Sequence, residues 1–392
     1  MGSYETNLLA RLVEIDTNVE TKKGYDDFVS ALASEVERLA FKYQIFGARE
    51  GATEGSSVPS LVVDHDVGAK LTVAVAAHYD TVPPGEGWKH DPGRLTIEGD
   101  KAYGRGACDN KGDIVAGLGA LKVLKEQGAS KFNILYAVTL EEEVGGELGL
   151  GYLTKRNVIT SDWAIVLDAS PSAVGAGASG IVWGKVAFSG KQGHAGYPHT
   201  AKNPIDIALP VLNDLRKFSK ERERIRSKLP AKPGSPFKNV WGRFSITVMN
   251  AGFKENVIPQ LCEARFDMRV CPDESPRSAQ AGLKKYFKKL LKNHGVKGAL
   301  EFTKTWPSYS TNPRHPLVKK FTAAASKAKG SQLSVVGELA ANDGHFFASQ
   351  GIPTICFGVL RGDCRIHGID EFVHLEDIDL VKNALINFFS QG

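Results

Sequence analysis

The chain has 392 residues, with 49 Lys and Arg against 44 Asp and Glu for a formal net charge of +5. That length exceeds the roughly 250–300 residues at which a single hydrophobic core stops growing, so two domains are expected. A content of 42% hydrophobic and 24% charged residues excludes a disordered or fibrous chain. The basic residues fall in scattered clusters such as KFSKERERIRSK and GLKKYFKKLLKNHG, without the aromatic-studded strand of a nucleic-acid binder, so no nucleic-acid partner is expected. Five cysteines, Cys108, Cys262, Cys271, Cys356 and Cys364, show no CxxC spacing, which argues against a disulfide framework or a cysteine-only zinc site. The start, MGSYETNLLARLVEI, lacks a charged leader before an apolar core, and no run approaches about 18 apolar residues, so a cytoplasmic protein with no membrane partner is expected.

In chain order, residues 4–43 carry a helical pattern, LLARLVEI and then DDFVSALASEVERLAF. From 60 to 165 short apolar strands alternate with a helix over 112–127, the grammar of a doubly wound sheet. A different order follows from about 178 to 306: strand IVWGKVAFSG, a helix beginning PIDIALPVLNDL and running through to KL, strands RFSITVMNAG and LCEARFDMRVC, helix SAQAGLKKYFKKLLKNH and strand ALEFTKTW. That β-α-β-β-α-β succession predicts a ferredoxin-like domain. The loop KLPAKPGSPFKNVWG is the expected mobile stretch. Helix HPLVKKFTAAASKA, strand TICFGV and helix DIDLVKNALINFFSQ then return to α/β grammar, so the second domain is inserted into the first. Gly175, Gly177 and Gly180 match a GxGxxG spacing, but a strand follows instead of the helix a pyrophosphate site requires, and a domain-crossing hinge is the better reading.

The chemistry-bearing residues lie at the ends of apolar runs. His78 and Asp80 follow LTVAVAA, the triplet Glu141, Glu142 and Glu143 follows NILYAVTL, and Asp168 follows DWAIVL. Buried parallel strands read as such runs, and ligands in open α/β sheets collect at their carboxyl ends. With Asp109 and His367 these residues make a set of imidazoles and carboxylates without thiols, suited to zinc, cobalt or manganese. Two metals can clamp a bridging water if one carboxylate spans them and another stays off the metals as general base. Neighbouring glutamates at an extended strand end point to opposite sides and offer that division of labour.

HYDTVPPGEGW, YGRGACDNKG, TLEEEVGG, DAS and IHGIDEFV, in that order and at these separations, resemble motifs of the metal-dependent aminoacylases and carboxypeptidases. That family includes acetylornithine deacetylase, succinyl-diaminopimelate desuccinylase, glutamate carboxypeptidase and carnosinase-like dipeptidases. The resemblance covers nearly the whole chain. It implies an α/β catalytic domain with a doubly wound mixed sheet, in two parts (1–177 and 308–392), and an inserted ferredoxin-like α+β dimerisation or lid domain (178–307). It also implies a homodimer formed through the insert. The implied activity is that of a dinuclear-metal amidohydrolase, zinc- or cobalt-dependent, that deacylates an N-acyl amino acid in amino-acid biosynthesis, with a dipeptidase or carboxypeptidase as the alternative.

Carried over to this chain, the resemblance makes Asp109 the carboxylate bridging two divalent ions, zinc first and cobalt or manganese after it. His78 and Asp168 would bind one ion, and Glu143 and His367 the other. Glu142 matches the general base, although Glu141 stands where the family has Asp, and a slip of one residue would make Glu141 the base and Glu142 the ligand. Asp80 would support the His78 imidazole. His194, in GKQGHAGYPH, matches the histidine that reaches the partner's active site to stabilise the oxyanion. Asn256 and Arg269 match substrate positions, Arg269 having an ion pair with Asp267 as its structural alternative, and Gly344 lies where the family lines its pocket, beside Asp343 and His345. His90, His199 and His374 are expected at the surface. Cys108 is expected as a small buried neighbour of Asp109 and not as a ligand.

Overall fold

The computed structural model describes residues 2–49 and 57–391. The chain forms two compact units: 1–176 with 311–336 and 342–392, and 177–310 with 337–341.

In the first unit the large sheet runs in the order Lys42–Arg49, Ser57–His65, Asn133–Thr139, Thr72–His78, Trp163–Val166, Thr354–Cys356 and Ala173–Ala178. The four strands from Asn133–Thr139 to Thr354–Cys356 are mutually parallel, and the pairings flanking them are antiparallel. This is the mixed sheet expected. The hairpin of Lys42–Arg49 with Ser57–His65 was not legible, and Tyr43, grouped with the helical stretch, lies in its first strand.

Alternation along Thr72–His78 sends Ala74 and Ala76 to one face, where they meet Leu150, Leu153, Phe346 and Phe347. Helix Gly112–Gln127, with the predicted bounds, is buried along nearly its whole length, ends at Gly128 in the left-handed region (φ 58°), and packs against Leu375–Phe389 and Tyr4–Val13. Its Gly117 faces the Tyr136 ring so closely that a Cβ would sit 2.6 Å from Cζ. The helix thus lies tight on the sheet and fixes the segment before it.

The second unit contains a four-stranded antiparallel sheet in the order Arg243–Ala251, Leu261–Val270, Gly180–Ser189, Ala299–Trp306. Helices Pro204–Leu215 and Pro276–His294 pack on it, the ferredoxin-like arrangement. Asn203 caps the first through its side chain with Pro204 at the opening turn. Val182, Val186, Phe188, Phe266, Leu283 and Phe287 form its core.

One expectation fails here: the helix expected to run through to Leu229 breaks into Pro204–Leu215 and Phe218–Glu223. At the ends of the stretch expected to be mobile, Arg226–Pro230 pairs with Asn239–Trp241 as a hairpin. Burial of Leu229, Val240 and Trp241 outweighs its turn-forming composition. The GAGASG segment lies in strands Ala173–Ala178 and Gly180–Ser189 and opens no helix, so it lacks the geometry of a dinucleotide site.

Candidate metal centre

The carboxyl ends of the parallel strands converge on one edge, as strand direction requires. His78 closes Thr72–His78, Glu142 and Glu143 stand in the short turn Glu142–Val144 beyond Asn133–Thr139, and Asp168 follows Trp163–Val166. The glutamates are therefore on a 3₁₀ turn and not at an extended strand end. Asp109 lies in the segment between Gly106 and the start of helix Gly112–Gln127. His367 comes from the loop beyond Thr354–Cys356, with a left-handed backbone (φ 61°).

Asp109 stands between two imidazoles. Its Oδ1 is 3.1 Å from His78 Nε2 and its Oδ2 is 3.2 Å from His367 Nε2, while His367 Nε2 also lies 3.1 Å from Glu143 Oε1. Ligand atoms of His78, Asp109 and Asp168 lie within 4.8 Å of one another, and so do those of Asp109, Glu143 and His367. Two three-residue groups thus share one carboxylate, each with one imidazole and hard oxygens.

The carboxylates of this edge draw positive charge toward the two imidazoles. Burial disfavours a charged His78, yet its hydrogen bonds to Asp109 and Asp80 prevail and hold its pKa well above the usual imidazole range. Hydrogen bonds to Asp109 and Glu143 push His367 up to about 10. Each imidazole is held protonated where a divalent ion would otherwise compensate the carboxylates. The donor set, nitrogen and carboxylate oxygen without sulfur, fits zinc, cobalt or manganese.

Glu142 occupies a different place. Its side chain lines a small enclosed cavity with His78, Thr139, Asp168 and Asp343, and burial, followed by the Asp168 charge, pushes its carboxyl well above the usual range. Glu141 is turned elsewhere: its carboxylate accepts the Leu148 N–H at 2.8 Å. Asp80 is fully buried, with Oδ1 3.4 Å from His78 Nδ1. It also accepts the backbone N–H groups of Glu142 (3.2 Å) and Glu143 (3.1 Å), one on each oxygen. This second task, holding the turn that carries both glutamates, was not read from the sequence.

Glu371 was missed as well. Its Oε1 accepts the N–H groups of Cys108 and Asp109, both at 3.0 Å, and its Oε2 pairs with Arg105. Burial raises its pKa to about 7. Arg105 and Glu371 lie in the YGRGACDNKG and IHGIDEFV motifs, and that co-occurrence was the available signal. Lys111 is buried and donates to the Leu12 and Ile15 carbonyls at 3.0 and 2.9 Å, tying the Asp109 segment to the first helix.

Asp343 is buried beside Glu142, and Asn342 Oδ1 accepts the Gly344 N–H at 3.1 Å. The approach of Asp343 explains Gly146, where a Cβ would fall 2.2 Å from Asp343 Oδ1. His345 is buried against the Phe346 ring at 4.0 Å, and burial pushes its pKa down to about 4. Cys108 is buried beside Asp109.

Two histidines expected at the surface are not there. His90 stacks on Tyr103 at 4.1 Å and meets Asp370 and Glu98, while His374 is buried between Asp100 (2.8 Å) and Asp363 (3.2 Å). Both gain carboxylate partners distant in sequence.

In the second unit, His194 is exposed on the two-residue strand Gly193–His194, which pairs with Val257–Ile258. Its Nδ1 accepts the Gly196 N–H at 3.0 Å, and the neighbouring Ala195 N–H donates to the Asn256 carbonyl at 3.0 Å. His194 and Asn256 are thus brought together. Arg269 forms the ion pair with Asp267 (Nε to Oδ1, 2.9 Å), and Asp267 also accepts Trp183 Nε1 at 2.7 Å. His199 is exposed, as expected.

The sequence profile of peptidase family M20/M25/M40 matches residues 74–391. The chain is 28% identical over 397 residues to a succinyl-diaminopimelate desuccinylase of Helicobacter pylori (strain HPAG1), covering 96% of each protein. Its fold is similar to that of the M20 family metallo-carboxypeptidase Sso-CP2 from Sulfolobus solfataricus (TM-score 0.80, 20% identity, 99% of each chain). It is also similar to the dipeptidase Dug1p from Saccharomyces cerevisiae (TM-score 0.79, 16% identity, 99% of this chain and 96% of that one). The chain belongs to peptidase family M20/M25/M40 and is a hydrolase of that family.

Proposed function

We propose that this chain is a dinuclear-metal amidohydrolase that removes an acyl group from an N-acyl amino acid, with an N-succinyl amino acid as the first candidate. The observation that carries the dinuclear reading is Asp109, whose two carboxylate oxygens face the imidazoles of two separate groups at 3.1 and 3.2 Å. The acyl preference rests on the similarity to the H. pylori desuccinylase over 96% of the chain.

In this reading His78 and Asp168 would hold one divalent ion and Glu143 and His367 the other, with Asp109 available to both. Such ions, zinc first and cobalt or manganese after it, supply Lewis acidity and a water of lowered pKa. Glu142, off both groups but in the adjoining cavity, would serve as the general base, accepting a proton from the attacking water and returning one to the leaving amine. The turn of Glu141 toward the Leu148 N–H supports this register over the slipped one. Asp80 positions His78 and, through two backbone bonds, the Glu142–Glu143 turn. Glu371 fixes the Asp109 backbone against Arg105.

His194 belongs to the same proposal as the oxyanion donor for a partner copy in a homodimer formed through the inserted domain. With its Nδ1 accepting from Gly196, a neutral ring carries its proton on Nε2, the tautomer that can donate to an oxyanion. Arg269, steadied by Asp267, and Asn256 are proposed substrate contacts, and Gly344 a pocket residue.

The test is a hydrolysis screen of N-acetyl and N-succinyl amino acids and dipeptides, on protein reconstituted separately with zinc, cobalt and manganese. Preferential cleavage of N-succinyl substrates is expected. Preferential dipeptide cleavage would replace the acyl assignment, and no hydrolysis with any of the three metals would refute the amidohydrolase reading.

A further inference from the structure

The loop that carries His367 has a narrow neck. The Phe372 N–H donates to the Cys364 carbonyl at 3.1 Å, and Phe372–His374 pairs with Lys101–Tyr103, so the two arms of the loop are already joined by backbone. At that neck ligand atoms of Asp363, Cys364 and His374 lie within 4.8 Å of one another. We propose that Asp363, Cys364 and His374 form a separate metal site, suited to zinc, that clamps the neck of the loop delivering His367.

Four observations support it. The first is the ligand spacing: His374 Nε2 and Asp363 Oδ2 are 3.2 Å apart, close to the edge of about 3.4 Å that tetrahedral zinc imposes between a nitrogen and an oxygen ligand. The second is the opposite ring nitrogen: Nδ1 lies 2.8 Å from Asp100 Oδ2, the carboxylate–histidine arrangement that fixes the tautomer of a metal-binding imidazole with Nε2 toward the ion. The third is the sulfur, which distinguishes this place from the His78, Asp109 and His367 centre. Cys364 is buried, and its sulfur lies within 4.8 Å of a ligand atom of each of the other two residues. A single thiolate with imidazole and carboxylate is a borderline-soft set that favours zinc over magnesium or calcium.

The fourth is access. Asp363 is exposed while Cys364 and His374 are buried, so the group opens to solvent on the Asp363 side. The other side of His374, with Asp100 and Glu376, offers oxygen only, and Glu376 is engaged by Arg361 at 2.7 Å. The sequence concealed the site, because a lone cysteine ten positions before a histidine matches no zinc spacing. The loop between them returns both to one point.

The test uses the full chain, stripped with a chelator and titrated with cobalt(II). Ligands at the His78, Asp109 and His367 centre are nitrogen and oxygen only, so a sulfur-to-cobalt charge-transfer band in the near ultraviolet reports this site alone. The expected result is that the band appears with one equivalent of cobalt beyond those taken by the other centre. Cys364→Ser should abolish the band and that equivalent, and Cys108→Ser should keep both. Asp363→Asn, an exposed change that leaves folding intact, should weaken the band-forming affinity by about tenfold or more. Wild-type protein showing no such band at any cobalt loading overturns the proposal whatever the variants do, as does a band unchanged in Asp363→Asn.

Discussion

The two groups that share Asp109 are built differently. His78 is 2% exposed, closes a central parallel strand and is oriented by Asp80, which is itself fully buried. The side chain of His367 is 51% exposed and hangs on a loop with a left-handed backbone, held by backbone bonds around residues 361–372 and by Glu371 and Asp370 behind it. One half of the candidate centre is thus preformed by the sheet, and the other depends on how a loop is braced. Sites on strands are held more tightly than sites on loops, so the halves should differ in metal retention and in what their mutation does to the fold.

The largest effect should come from the shared carboxylate. Asp109→Ala removes an oxygen from each group, and metal analysis is expected to show loss of both ions, with hydrolysis falling to background. Retention of one ion at full occupancy would mean the two groups do not depend on a common ligand. Next in size is the buried pair behind Asp109: Arg105→Met leaves Glu371 uncompensated and should cost about 3–5 kcal/mol in denaturant unfolding. A smaller loss would show that the two N–H groups of Cys108 and Asp109 suffice to hold that carboxylate.

The strand-held and loop-held halves separate in the paired variants His78→Ala and His367→Ala. Both should lose metal. His78→Ala should lower stability more, because it strands Asp80 and Asp109 in a buried site. His367→Ala also frees Asp109 and Glu143, but at a half-exposed ring whose place water can take, so its cost should be the smaller of the two. Equal destabilisation would erase the distinction between strand-held and loop-held halves.

A further effect concerns pH. His345 titrates near its ordinary value of about 6.5 when unfolded and about 4 when folded, so below pH 6.5 only the unfolded chain takes up the proton. Stability present above pH 6.5 is lost as pH falls toward 4, by about 3 kcal/mol at most. His345→Gln should lack that part of the acid limb, and an unchanged limb would contradict the burial argument.

Much of the architecture was legible because it is local. Helix Gly112–Gln127 and strand Ala299–Trp306 appear with the bounds that periodicity predicts, and the ligands stand where apolar runs end. What escaped depends on partners far along the chain. Arg105 meets Glu371 across 266 positions, and Asp80 reaches the Glu142–Glu143 turn across more than 60. Neither link is visible within a single local window of sequence. His90 and His374 look like surface residues until the fold brings Asp370, Asp100 and Asp363 to them. The hairpin at Arg226–Trp241 shows the converse, with Pro and Gly suggesting a loop while the burial of Leu229 and Val240 decides for strands.

Glu142 is the proposed proton carrier, beside a candidate metal centre to which it contributes no ligand. The direct measurement is turnover of the best substrate by Glu142→Gln, with metal content determined on the same sample. Metal content equal to wild type with hydrolysis reduced by about 10²–10⁴-fold is the predicted result. Near wild-type turnover, or loss of metal along with activity, would contradict it.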